Sequence, residues 1–338
     1  MHPRLAVILV ATGLTLGGCA PDLQSGAAGV VPARDAANCI TLAGRIGLSL
    51  QAHETDHFLV LSSADEASAA ATGQLLDHAC LRFYEQFRRA GFEPKPLGAK
   101  LIWVCLNSYG SLEAYGRAAD SAEVSWMDAY YSHRTNRVAM AMAASRPPAQ
   151  ARRRFTGSSI AAFGDSDPDL DVSDGLGIRT MTHELAHQLA FNSGLQRRGA
   201  TYPFWLTEGL ATNFEADSLD SLGLGLEDRV HRQRLSEAKA AGRLVPLDQF
   251  VGMTEWPAGR EGSATRDVYA QSWGLFHYLL QNRPSTLKKF MAELSLGWMQ
   301  DTNSLRRRFI AAFGPIKPLE DDFLRFIDGR DVPVRGTR

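Results

Sequence analysis

The chain has 338 residues, of which 45% are hydrophobic, and its 36 Lys and Arg residues nearly balance its 37 Asp and Glu residues. This apolar content is typical of a globular protein with a substantial core. The formal net charge of −1 argues against nucleic acid as a main partner, because domains that bind nucleic acids are strongly basic.

The N-terminus has the pattern of a bacterial export signal. One basic residue precedes an apolar run, Leu5 to Leu16, that is too short to span a bilayer. The run ends in L-G-G-C, which resembles the lipobox of bacterial lipoproteins, where the Cys is lipidated. We predict a signal peptide at residues 1–18 and an exported lipoprotein attached through Cys19 to the periplasmic side of the outer membrane. The alternative is an ordinary signal peptide cleaved elsewhere.

Residues 19–37 are rich in Gly, Ala, Pro and Asp without periodicity, which predicts a flexible tether. The rest of the chain is long enough for two parts, an α+β subdomain at 38–217 and a helical subdomain at 218–338. The chain has three further cysteines, Cys39, Cys80 and Cys105. They allow at most one disulfide within a chain, and their spacing does not decide whether it forms.

Apolar strands and amphipathic helices alternate in the first half, which is the pattern of an α+β fold. The pattern predicts strands at 57–62, 100–106 and 137–143, and helices at 67–90 and 111–118. The second half has helical spacing throughout. It predicts helices at 226–241, 267–281, 287–296, 304–313 and 319–327.

The strongest chemical pattern is H-E-L-A-H. His183 and His187 are four residues apart, so on a helix both imidazoles lie on one face and can bind one cation. Glu184 is displaced about 100° round that helix, too far to be a ligand but placed to act on a water. Glu208 follows 21 residues after His187 in W-L-T-E-G-L-A, a segment with helical spacing. It is the predicted third ligand.

The helix that carries the histidines is predicted over residues 177–192. Its apolar stripe, formed by Ile178, Met181, Leu185 and Leu189, is expected to face the core. The histidines are then left on a face directed toward a cleft. The alternative is that His183 and His187 are satisfied core residues and that Glu208 is a surface acid.

These motifs, H-E-L-A-H-Q followed by W-L-x-E-G-x-A-x-x-F-E, resemble those of the gluzincin metallopeptidases, and they are most similar to the aminopeptidase branch. The resemblance implies a zincin-like α+β fold whose sheet half and helical half flank a cleft. It implies one Zn²⁺ held by His183, His187 and Glu208, with Glu184 as the base and a peptide or protein as substrate. More loosely, residues 55–328 are similar to a bacterial group of peptidase-like domains of unknown function.

This chain departs from the thermolysin-like pattern at one position, and the resemblance also implies a strand that pairs with substrate and an oxyanion donor. Thermolysin-like enzymes place a carboxylate four residues after the Glu ligand to hold one liganding His, where this chain has Thr212. In zincin-like folds the strand nearest the cleft pairs with substrate, and the strand at 137–143 is our candidate; the alternative is a buried strand without that contact. The pattern implies a Tyr oxyanion donor about sixty residues after the Glu ligand, which selects Tyr269, with His231 as the alternative.

The sequence therefore predicts a zinc-dependent metallopeptidase. An endopeptidase is favoured over an aminopeptidase. Enzymes of the aminopeptidase branch bind the free amine of the substrate with a G-x-M-E-N motif, and the sequence A-M-A-M-A at 139–143 lacks the acid and the Asn of that motif. The alternative is a catalytically weak, zinc-stabilised envelope scaffold that binds peptide or glycan.

Overall fold

The computed structural model describes residues 33–124, 127–142, 172–254, 263–297 and 300–329, with backbone alone for 33–34, 172–176 and 263–264. The predicted signal peptide and most of the tether, including Cys19, lie outside these ranges. The first helix begins at Ala33, so the last residues of the predicted tether are helical rather than irregular.

A five-stranded sheet occupies the first half of the chain. Its strands are β1 Gln51–Glu54, β2 Phe58–Ser62, β3 Leu101–Leu106, β4 Ala129–Ser132 and β5 Arg137–Ala141. The spatial order is β1-β2-β3-β5-β4. The three inner strands are parallel to one another, and β1 and β4 pair antiparallel at the two edges.

Helices accompany the sheet and form the second half. The helices of the first half are α1 Ala33–Arg45, α2 Glu66–Arg89, α3 Tyr109–Asp120, α4 Val172–Asn192 and α5 Phe204–Thr212. The later helices are α6 Arg229–Ala240, α7 Leu247–Phe250, α8 Ser263–Asn282, α9 Pro284–Leu296, α10 Thr302–Phe313 and α11 Ile316–Ile327. The predicted α+β class is confirmed.

Both faces of the sheet are buried, and the strand periodicity decides which side chain enters which layer. On β3, Trp103 and Cys105 point into the core that α2 and α4 cover, whereas Val104 and Leu106 point into a second core with α1 and α3. A continuous apolar run of this kind is typical of an interior parallel strand.

The first of these cores continues into the helical half without a break. Phe83 of α2 packs edge-on against Phe214 with ring centroids 5.2 Å apart, and the same cluster extends to Phe323 of α11. Helix α4, which carries His183 and His187, is therefore enclosed between the sheet and the later helices. Whether residue 217 is a domain boundary stays a prediction.

Of the two alternatives for the strand at 137–143, the structure supports the buried strand without substrate contact. Its observed part, β5, pairs with β3 on one side and with β4 on the other, so no backbone edge is left for a substrate. The edge on that side is β4, which also packs against α4. β4 was not predicted, because its four residues Ala-Tyr-Tyr-Ser carry no alternation of apolar and polar side chains.

Two further findings concern the sequence predictions. Cys39, Cys80 and Cys105 are buried free thiols, so no disulfide forms among them. Within the described ranges, none of the helices combines the length and the apolar content needed to cross a bilayer.

Candidate metal centre

The three predicted ligands meet in one place. His183 and His187 lie one turn apart on α4, and their Nε2 atoms are 3.2 Å apart. Oε2 of Glu208 lies 3.4 Å from Nε2 of His183 and 3.7 Å from Nε2 of His187. Two ligands therefore share a helix face through its own periodicity, and packing of α5 against α4 adds the third.

This triangle of donor atoms has the dimensions of a metal site. A tetrahedral zinc with bonds of about 2.0–2.2 Å separates its ligand atoms by about 3.3–3.6 Å. The observed separations of 3.2, 3.4 and 3.7 Å span that interval. The buried group of His183, His187 and Glu208 could thus hold a metal ion.

The unsatisfied atoms of the site support the same conclusion. Both carboxylate oxygens of Glu208 are buried, and neither has a hydrogen-bond partner in the described part of the chain. A buried, ionised carboxylate is costly unless a counter-charge or a metal pairs with it. A cation inside the triangle would remove this cost.

The electrostatics also favour a cation. Burial by itself lowers the pKa of His183, but its contacts with Glu208 and Glu215 raise that pKa well above its ordinary value. Burial raises the pKa of Glu208, yet the two neighbouring histidines outweigh it and lower the pKa to about 2. The carboxylates of Glu184, Glu208 and Glu215 thus surround the two imidazoles. A divalent cation would balance their negative charge.

A glycine beside the third ligand allows the helical half to approach. A Cβ on Gly209 would lie 2.6 Å from the backbone oxygen of Ser272 and 2.7 Å from Cβ of Phe276, both on α8. These distances are shorter than real contacts, so the crossing of α5 and α8 requires glycine. Because α8 carries Tyr269, this crossing also sets how close Tyr269 comes to Glu208.

A second carboxylate orients the first histidine. Nδ1 of His183 lies 2.9 Å from Oε2 of Glu215, and donation from Nδ1 leaves the Nε2 lone pair for a metal. Thr212 occupies the position at which thermolysin-like enzymes carry this supporting carboxylate. Its hydroxyl donates to the backbone oxygen of Glu208 at 2.7 Å and to that of Gly209 at 3.3 Å.

Glu215 is in turn held by cationic and polar partners. Nη1 of Arg179 donates to Oε1 of Glu215 at 2.7 Å and to Asp228 at 2.8 Å, and Nε2 of His231 lies 2.7 Å from the same Oε1. Burial raises the pKa of Glu215, but these partners and His183 lower it well below its ordinary value. Glu215, Asp228 and His231 are also close enough to form a metal group. There the guanidinium of Arg179 already supplies the positive charge.

Glu184, the predicted base, stands outside the triangle as its helical position requires. Its Oε2 accepts a hydrogen bond of 2.7 Å from the backbone N–H of Tyr131, which points outward from the edge strand β4. Burial raises the pKa of Glu184, and the opposing effects of His183 and His187 do not cancel this rise. The backbone contact therefore orients a carboxyl group whose pKa is raised.

Both candidate oxyanion donors lie near the site, Tyr269 beside the ring of His183 and His231 beside Glu215. The ring centroid of Tyr269 is 6.3 Å from that of His183. Burial raises the pKa of Tyr269 well above its ordinary value, and the adjacent carboxylates of Glu208 and Glu184 raise it further, so its hydroxyl stays protonated. His231 instead bonds to Glu215, behind His183, and its ring stacks on Trp273.

The site is more enclosed than the sequence suggested. Met181, Leu185 and Leu189 of the predicted stripe are buried as expected, but the face that carries the histidines is buried as well. His183 is 4% exposed and His187 is 0% exposed. Helix α4 is in contact with β4, α2 and α5, so its ligand face is not the wall of an open cleft.

Sequence reasoning missed three contributors to the site. Arg179 precedes His183 by four residues, and this spacing could have indicated a shared helix face. Glu215 follows Glu208 by seven residues, but α5 ends at Thr212, so helical periodicity does not reach it. Tyr131 acts through its backbone, which no pattern of side chains reports.

We expect Glu215→Gln to weaken the affinity of this site for a divalent metal ion by about 10- to 100-fold, the usual effect of losing a carboxylate behind a liganding histidine. Titration against a chelator of known affinity measures this change. Asp217→Asn is the matched control, because Asp217 bonds the same Arg179 but touches no histidine. Equal affinities for the two variants would show that Glu215 does not support the metal.

Part of the chain matches a known protein family. Residues 177–297 match a family described as protein of unknown function (DUF1570). This DUF1570 segment contains the triangle, Glu184, Glu215 and Tyr269, whereas all five strands of the sheet lie before it. No curated protein matches the chain. The family description assigns no activity.

Proposed function

We propose that this protein is a zinc-dependent metallopeptidase with a zincin-like fold. His183, His187 and Glu208 would hold one Zn²⁺, and Glu184 would act as the general base. The observation that carries the proposal is the triangle of donor atoms with the oriented Glu184 carboxylate beside it. Two imidazoles and one carboxylate form a ligand set of catalytic zinc sites, which keep a fourth position for water or substrate.

The arrangement of elements supports the fold part of the proposal. The helix with the two histidines lies beside an antiparallel edge strand, β4, and the third ligand follows on the next helix. The later helix α8 brings the ring of Tyr269 to 6.3 Å from that of His183. The motif resemblance to gluzincins agrees with this order.

The chemistry of peptide hydrolysis can be assigned to residues of this chain. When bound, zinc supplies a Lewis acid that polarises a carbonyl group and makes water a better nucleophile near neutral pH. Glu184 would accept the proton of the attacking water on the carboxylate oxygen that Tyr131 does not hold, and would pass it to the leaving amine as the C–N bond breaks. Tyr269 would donate its hydroxyl proton in a hydrogen bond to the developing oxyanion.

We favour an endopeptidase over an aminopeptidase. An aminopeptidase needs an acidic group near the cleft to bind the free amine of its substrate. Strand β5 has no acidic residue, and the edge strand β4 has the sequence Ala-Tyr-Tyr-Ser and has none either. We therefore propose an internal bond of a peptide or protein as the substrate.

A second function is favoured by one observation, the enclosure of the site. The three ligands and Glu184 are all buried, which suits a metal that stabilises a scaffold as well as it suits a catalyst. In that case the protein would be a zinc-stabilised envelope protein that binds peptide or glycan and turns over slowly or not at all.

Metal analysis and a peptide library test these two proposals together. The purified chain without its signal peptide should contain one zinc and cleave internal bonds of a mixed peptide library, read by mass spectrometry. One zinc without any cleavage would support the scaffold and exclude the peptidase. Less than stoichiometric zinc after loading would contradict both.

The role of Tyr269 leads to a prediction about kcat. Tyr269→Phe should leave zinc content and thermal stability intact but lower kcat by roughly 10²- to 10³-fold, the cost of one oxyanion donor. Tyr278→Phe is the matched control, because it is the same change at another buried Tyr of α8. Normal turnover of Tyr269→Phe together with an inactive His231→Ala would transfer the role to His231.

We further propose that lipid on Cys19 attaches the protein to a membrane on the periplasmic side. The support is the apolar run ending in L-G-G-C. Cys19→Ser should move the protein from the membrane fraction to the soluble fraction, with Cys39→Ser as the control. A wild-type protein found in the soluble fraction would contradict lipid attachment.

A further inference from the structure

A row of polar residues on α4 joins this helix to the β4–β5 hairpin. Glu184, Gln188 and Asn192 are spaced by four residues on α4, so they lie on one helix face, next to the face that carries the histidines. Each of the three makes a hydrogen bond to the hairpin. The base is thus the first member of a continuous contact with the edge of the sheet.

Asn192 makes the most specific of these contacts. Its Nδ2 donates to Oδ1 of Asn136 at 2.8 Å, and Nδ2 of Asn136 donates back to Oδ1 of Asn192 at 3.0 Å. Asn136 lies in the turn between β4 and β5 with a φ of 55°, a left-handed conformation that Asn tolerates better than most residues. The reciprocal amide pair therefore binds the hairpin turn to the last residue of α4.

Gln188 occupies the position between the base and this pair. It is fully buried, accepts a hydrogen bond of 2.7 Å from the Trp103 indole, and donates at 3.1 Å to the backbone oxygen of Asn136. Tyr131 adds a further link, because its hydroxyl donates to Oδ1 of Asn136 at 3.1 Å. The hairpin is thus held to α4 at two neighbouring places, the turn and the Tyr131 N–H, which lies one residue before the end of β4.

We infer that Asn136 and Asn192 are positioning residues for Glu184. They hold the β4–β5 hairpin at the distance from α4 at which the Tyr131 N–H bonds to the carboxylate. Loss of the amide pair frees the turn, lengthens that hydrogen bond and leaves the base without a fixed orientation. The contribution to turnover rests on the proposed peptidase function, whereas the contribution to the Tyr131 contact does not.

Site-resolved amide hydrogen exchange tests the positioning directly and needs no activity. Asn192→Ala should raise the exchange rate of the Tyr131 amide by about tenfold, the equivalent of roughly one hydrogen bond, while amides of the interior strand β3 change by less than about twofold. Asn136→Gly should have the same effect, because glycine keeps the turn conformation but removes the amide. The double variant should add little to either single change.

Asn282→Ala is the matched control. Asn282 is also the last residue of its helix and also donates from Nδ2 to the carbonyl four residues earlier, but it is far along the chain from the hairpin. It should leave Tyr131 exchange unchanged. Unchanged Tyr131 exchange in both Asn192→Ala and Asn136→Gly would overturn the inference, as would an equal acceleration in β3, which would indicate general destabilisation.

A kinetic measurement on the same variants addresses turnover. With zinc content unchanged, both single variants should lower kcat by about tenfold with little change in KM, because the peptide contacts remain while the base is less well oriented. A rise in KM alone would contradict a role in orienting Glu184. If the wild type cleaves no peptide, the peptidase proposal fails and the exchange experiment still decides the positioning.

Discussion

Replacing Glu184 by Gln is expected to lower kcat by roughly 10²- to 10⁴-fold while leaving the metal content and the fold unchanged. The substitution keeps the shape of the side chain, and an amide oxygen can still accept the hydrogen bond from the Tyr131 N–H. Under the proposed peptidase mechanism, the variant loses the ability to take a proton from water and to return it to the leaving amine. Steady-state kinetics on one cleaved peptide, with zinc analysis of the same samples, measures this.

The control for this change is Glu293→Gln, which makes the same substitution at an exposed position of α9. It should retain the kcat of the wild type. A Glu184→Gln protein with normal turnover and normal zinc would remove Glu184 from the mechanism and leave the chemistry to another group. A Glu184→Gln protein that loses its zinc would mean that Glu184 supports the metal instead.

Removing Glu208, the proposed third ligand, should have a large effect on the affinity for zinc. If one of three ligands carries about a third of a zinc binding free energy of about 10–16 kcal/mol, Glu208→Ala should weaken binding by roughly 10²- to 10⁴-fold. The Glu208 side chain is fully buried, and its carboxylate oxygens have no hydrogen-bond partner in the described residues, which is expected of oxygens that bind a metal ion. Competition with a chelator gives the change in affinity.

Thermal unfolding gives a second measurement of the same event. Zinc that binds only the folded state raises the melting temperature, so adding zinc to the metal-free wild type should stabilise it, and Glu208→Ala should lose this response. His187→Ala should behave alike, with the exposed His78→Ala as its control. If Glu208→Ala and His187→Ala kept stoichiometric, tightly bound zinc, the ligand assignment would be wrong.

The helices of the second half followed closely from the sequence. The apolar spacing predicted a helix at 267–281 that is observed at Ser263–Asn282, and one at 304–313 that is observed at Thr302–Phe313. The prediction worked because a helix several turns long repeats its apolar contacts at 3.6 residues per turn. Short elements without such repetition, such as β1 and β4, carry too few residues to show a period.

The H-E-x-x-H spacing by itself determined that two imidazoles share a helix face, because the i to i+4 hydrogen bonds of a helix make this relation local. The downstream Glu208 was recognisable by its helical context. Only the tertiary structure decided that Glu215 orients His183, across 32 residues, and that the Tyr131 N–H holds Glu184, across 53 residues. It also decided that β4 rather than β5 is the edge strand and that the ligand face is enclosed. Such relations depend on how strands order and helices pack in the whole chain, and no short sequence period encodes them.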